Sequence, residues 1–111
     1  MKIWNQKLPA GKKMKFEVLG KESAARQFSR IKVEDSPELA LGEKIGDSAI
    51  VKEAPRGRTV FFTSYHDNGN SVGENKISVE ARPGQVWILR SEDSTDGDYN
   101  DYTVRVSITD Q

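Results

Sequence analysis

The sequence contains no cysteine and a single histidine, His66. Disulfides and thiolate metal sites are therefore excluded, and no Ser–His–Asp constellation can be argued from that one histidine, which sits in SYHDNGN at a strand end or turn. No apolar run approaches the ~20 residues that cross a bilayer. The first residues, MKIWNQK, also lack the apolar stretch of a signal peptide. The expectation is a chain without membrane insertion, cytoplasmic by default, with leaderless secretion as the other route. Neither charge sign is in excess, at 17 Lys plus Arg against 17 Asp plus Glu. Net charge thus singles out no polyanionic partner, and nucleic acid is not expected. Apolar residues are scarce at 35%, with charged residues at 31%. So few can fill only a thin core, as in a two-layer sandwich where each strand gives every second residue to the interior.

No segment carries a convincing helical spacing of apolar residues. Short alternating runs separated by turn residues occur instead, which is the all-β pattern. Strands are expected at 3–8, 13–19, 26–33, 48–53, 59–66, 76–81, 85–92 and 102–109. LPAGK, APRGR, HDNGN and ARPG punctuate them, each rich in residues that favour turns. KISVEARPGQVWILR reads as a hairpin with Arg82, Pro83 and Gly84 at its tip. In YTVRVSIT, Val104, Val106 and Ile108 face one way. EDSPELAL is the weakest stretch, where Ser36 as N-cap and Pro37 at the first helical position allow a short helical turn. The expected fold is an all-β, two-layer antiparallel β-sandwich of about eight or nine strands, one domain over residues 1–111.

The charge distribution is less even than its total. SEDSTDGDYND, residues 91–101, holds Glu92, Asp93, Asp96, Asp98 and Asp101 with no Lys or Arg among them. Such close like charges repel. Without them, twelve acids face 17 bases, so the acidity is local and marks a site. The donors are all oxygens on short side chains, which suits calcium with its six to eight oxygen ligands. Zinc favours His or Cys, and magnesium tolerates a crowded carboxylate site poorly. An EF-hand fails because Asp101 stands where its loop needs Gly, and Ser107 where it needs a bidentate Glu. An unmetallated, solvated acidic turn is the plain alternative.

EDSTDGDYND resembles the calcium loop of the soluble, calcium-mediated bacterial lectins that bind fucose and mannose, approximately E-D-x-T-D-x-D-Y-N-D. LPAGKKMKFEV resembles that family's first hairpin, and strand and turn spacing agree over most of the chain. The resemblance implies a non-enzymatic, carbohydrate-binding homodimer or tetramer with two calcium ions per subunit. It implies that Glu92 and Asp96 ligate one ion, Asn100 the other, and that Asp98 and Asp101 bridge both. Asp93, Asp96, Asp98, Asp101 and Ser23 would meet a fucose- or mannose-like glycan, and the C-terminal carboxylate of Gln111 would enter a neighbouring subunit's site. Direct alignment sets Lys21 opposite a calcium-ligating Asn of the family, which a lysine cannot replace. A one-residue shift sets Glu22 there and restores an oxygen donor. The competing function is a β-domain whose calcium is purely structural and serves protein–protein or adhesion contacts, without sugar.

Outside the loop, Trp4 and Trp87 lie in apolar-rich strands and read as core or interface residues rather than a sugar platform. Lys12, Lys13, Lys15, Arg56 and Arg58 could form a basic patch, but no RNA-binding motif accompanies them.

Overall fold

The computed structural model describes residues 1–22, 25–92 and 102–110. Ten strands are present among them: β1 (Ile3–Leu8), β2 (Lys13–Lys21), β3 (Arg26–Val33), β4 (Leu39–Leu41), β5 (Ser48–Val51), β6 (Arg58–Asp67), β7 (Val72–Glu74), β8 (Lys76–Arg82), β9 (Val86–Glu92) and β10 (Tyr102–Thr109). They form two antiparallel sheets. One has the order β1-β6-β3-β4 with β7 also on β6, and the other runs β5-β2-β10-β9-β8.

The eight expected strands are all present, with ends shifted by two residues or fewer. The additions are β4 and β7, three residues each. The helical turn expected near Ser36 does not form. Ser36 N–H instead bonds Val33 O at 3.2 Å, and Asp35 adopts φ 58°. That tight turn returns the chain as β4, which pairs Leu39 with Ile31 and Leu41 with Ser29. Pairing along β3 satisfies backbone groups that an isolated helical turn would leave open.

Alternation places the core between the sheets. Met14, Phe16 and Val18 of β2 and Val104, Val106 and Ile108 of β10 point inward from one sheet. Trp4, Leu8, Ile31, Val33, Val60 and Phe62 answer from the other. Phe16 stacks on Phe62 with centroids 5.8 Å apart and planes 4° apart. Trp4 meets Trp87 across the same gap at 5.6 Å. The tryptophans are thus inter-sheet packing residues. On the outer face of the first sheet, Arg26, Phe28, Tyr65 and Arg30 make a ladder, with each guanidinium over a ring at 5.1 and 5.3 Å and the rings 5.2 Å apart.

The Phe16–Phe62 pair sits at the centre of the sandwich, and both residues are fully buried. Phe62→Ala should lower stability by about 3–5 kcal/mol. Urea denaturation followed by tryptophan fluorescence measures this, and an unchanged midpoint would contradict the packing.

Candidate functional site

One end of the sandwich gathers the ends of several strands. There β9 finishes at Glu92, and β10 begins at Tyr102. Tyr102 pairs with Ser91 on one side and with Lys21, the last residue of β2, on the other. The acidic segment therefore connects two adjacent strands beside the end of β2. Glu92 is only 3% exposed, and a carboxylate that deep needs hydrogen bonds or a cation around it.

The end of β2 departs from simple alternation. Thr103 pairs with Gly20 but Val104 pairs with Val18, so Leu19 is an extra residue, a β-bulge. Counting inward and outward positions from Val18 would point Lys21 away from the core. The bulge reverses that sense, and Lys21 takes the same side as its partner, buried Tyr102. Its ammonium lies 2.9 Å from Glu43 Oε1. Glu22 follows immediately beyond the strand end and is exposed.

Glu43 belongs to the corner between β4 and β5. Because β4 stops at Leu41, the N–H of Gln27 on the neighbouring strand has no further strand to meet. Glu43 Oε1 accepts that N–H at 2.8 Å. The Gln27 backbone bond, then the Lys21 side chain, hold the Glu43 carboxyl below its usual pKa. Next to it, Gly42 O accepts the Tyr102 hydroxyl proton at 2.6 Å. Tyr102 has one proton to give, so Ser29 Oγ, at 3.1 Å, donates to it in turn. Burial pushes the Tyr102 hydroxyl well above its usual pKa, so it stays a donor.

A buried polar layer continues into the first sheet. Asn75 Nδ2 donates to Gln27 Oε1 at 2.9 Å and to Ser64 Oγ at 2.8 Å. With both amide protons committed, Asn75 Oδ1 is the acceptor of the 2.7 Å bond to His66 Nδ1, which assigns the proton to that nitrogen. Gln27, Ser64 and Asn75 are fully buried. Their satisfied bonds favour one packing of the site end over alternatives. His66 is thus engaged in this layer.

Of the candidate ligands, Glu92 closes β9 and Glu22 follows β2. Ser23, Asp93, Asp96, Asp98, Asn100, Asp101 and Gln111 lie outside the described residues. Among the described residues, no group of three or more His, Asp or Glu comes together. The deep carboxylate of Glu92 and the all-oxygen donor set of the adjoining segment fit calcium better than a metal that prefers nitrogen or sulfur. Residues that sequence reasoning missed are Glu43, Gln27 and Asn75. Nothing local marks them, because their partners are 9–48 residues away.

Four of the five cations of the expected basic patch are each engaged by a nearby oxygen, and Lys15 is exposed. Arg58 is 8% exposed and donates to Lys52 O at 2.6 Å, Lys12 pairs with Asp110, Lys13 lies 3.7 Å from Glu53, and Arg56 pairs with Asp35.

A family model described as fucose-binding lectin II (PA-IIL) matches residues 6–110. The chain belongs to the fucose-binding lectin II family. The family is one of carbohydrate-binding proteins rather than enzymes and is calcium-dependent in general. Solved structures agree in fold. The Chromobacterium violaceum lectin CV2L, in complex with alpha-methyl-fucoside, is 18% identical with a TM-score of 0.54, over 96% of this chain and 94% of that one. The Ralstonia solanacearum high-affinity mannose-binding lectin is 15% identical with a TM-score of 0.54, over 92% of each chain. The C-terminal domain of the BC2L-C lectin from Burkholderia cenocepacia is 19% identical with a TM-score of 0.56, over 95% and 92%. No curated protein sequence matches significantly.

Two measurements probe this end of the fold. Tyr102→Phe removes the donor to Gly42 O and should cost about 1–3 kcal/mol, read by urea denaturation. Glu43 has a lowered pKa, so its contribution is present above the ordinary value of 4.5 and is lost as pH falls through the folded value below it. The stability difference between wild type and Glu43→Gln should be constant from about pH 7 to about pH 5 and should shrink at more acidic pH. A difference that grows on acidification would contradict the assigned partners.

Proposed function

We propose that this lectin binds a fucose- or mannose-like glycan through calcium held by residues 92–101, with two ions per subunit. The observation that carries the reading is the family match over residues 6–110, which spans the acidic segment. The burial of Glu92 at the head of that segment supports it.

In this reading Glu92, Asp96, Asp98, Asn100 and Asp101 hold the metal, with Asp98 and Asp101 shared between the two ions. Glu22 supplies a further oxygen from the end of β2. The engagement of Lys21 by Glu43 supports that assignment, since it directs the lysine's charge to a carboxylate of its own. The C-terminal carboxylate of Gln111 completes the site of a second copy, which makes the lectin a homodimer or a pair of dimers. Bound calcium supplies coordination positions that vicinal sugar hydroxyls fill in place of water. The protein's own part is to fix those positions and to meet the sugar's remaining edge with Asp93 and Ser23. The four metal-binding carboxylates of the segment, Glu22 and the partner's C-terminus more than neutralise the two cations, so the segment's mutual repulsion becomes attraction to the metal.

Asp98→Ala should abolish the rise in melting temperature that calcium gives, because its carboxylate serves both ions. Asp93→Ala should keep that rise and weaken binding of methyl-α-fucoside and methyl-α-mannoside. Calorimetric titration with calcium, then with each sugar, separates the two effects. Full calcium stoichiometry and affinity in Asp98→Ala would overturn the ligand assignment. Full calcium uptake by the wild type, with no sugar bound from a glycan array, would favour the structural-calcium alternative.

A further inference from the structure

Three segments flank the proposed sugar site: the connection from β2 to β3 that carries Glu22 and Ser23, the end of β9, and the start of β10. The corner at Gly42 and Glu43 is bonded to two of the three. Glu43 Oε1 takes Lys21 Nζ at 2.9 Å from the last residue of β2 and Gln27 N–H at 2.8 Å from the start of β3. Gly42 O takes the hydroxyl of Tyr102, the first residue of β10. The corner is itself fixed, because Gly46 N–H donates to Val18 O at 3.0 Å and Val18 N–H donates to Asp47 O at 2.9 Å.

We infer that Glu43 is a positioning residue for the sugar site, clamping both ends of the β2–β3 connection and so setting sugar affinity and preference without holding metal. The inference rests on the lectin reading above. One oxygen serving two donors, one on each side of the connection, fixes the separation of the two strand ends. Where the connection leaves β2 and enters β3 is thereby set. An ammonium at 2.9 Å occupies the carboxylate with a cation of its own, which argues against its use as a calcium ligand. Arg26 adds a weaker favourable charge from the start of β3. Supporting partners of this kind commonly change affinity by about 10-fold or more when removed.

The test compares wild type, Glu43→Ala, Glu43→Gln and Lys21→Met by calorimetry, first with calcium alone and then with methyl-α-fucoside and methyl-α-mannoside in saturating calcium. Glu43→Ala should bind sugar about 10-fold more weakly in saturating calcium, with calcium stoichiometry unchanged and calcium affinity, which rests mainly on residues 92–101, lowered less than sugar affinity. Glu43→Gln, which keeps an acceptor for Gln27 N–H, should recover most of the loss. Lys21→Met cuts only one arm of the clamp and should fall between, and it carries the test with Glu43→Gln if Glu43→Ala does not fold. Wild-type sugar affinity in Glu43→Ala, or a calcium affinity that falls as far as the sugar affinity, would overturn the inference. If the wild type takes calcium but no sugar, the lectin reading fails by itself. Hydrogen exchange over residues 22–27 then decides the clamp: exchange faster in Glu43→Ala but not in Glu43→Gln supports it, and unchanged exchange overturns it.

Discussion

A polar group placed between two β-sheets is tolerable only when its hydrogen bonds are made there. That constraint shapes one end of this sandwich. Gln27, Ser29, Ser64, Asn75 and Tyr102 are all buried, and they occupy the end where the acidic segment begins and finishes. An apolar core alone would leave the sheets free to settle in several neighbouring arrangements. The directional bonds from Asn75 to Gln27 and Ser64, and from Tyr102 to Gly42, exclude most of them.

The interior and the site end consequently do different work. In the interior, Phe16 on Phe62 and Trp4 on Trp87 supply area removed from water, which has little directional demand. At the site end, geometry matters more than area, because coordination and sugar recognition depend on oxygens held at fixed separations. A carboxylate-rich segment has no tendency to hold its own shape. Two neighbouring strands set where it starts and stops.

Alternation made the eight longer strands legible in the sequence, and the last residue of β9 and the first of β10 fell where the pattern put them. β4 and β7 were not legible, because three residues are too few to display a period of two. Ser36 and Pro37 spelled a helix start that pairing with β3 overrode. The acidic segment stood out because its residues are neighbours in the chain. Glu43 did not, since its partners Lys21 and Gln27 lie 22 and 16 positions away and ordinary surface charge looks the same on paper. The bulge at Leu19 had one signal, Gly20 beside it inside the strand, since a glycine in a strand interior often marks a bulge.

That bulge has a bearing on how relatives are compared. From Gly20 onward, interior and exterior positions of β2 exchange places relative to a strand that runs without the extra residue. Sliding this chain by letter count alone past a relative whose strand lacks the extra residue would match a buried side chain to a solvent-facing one at this point. Against such a strand, a gap at Leu19 keeps spatial equivalents together.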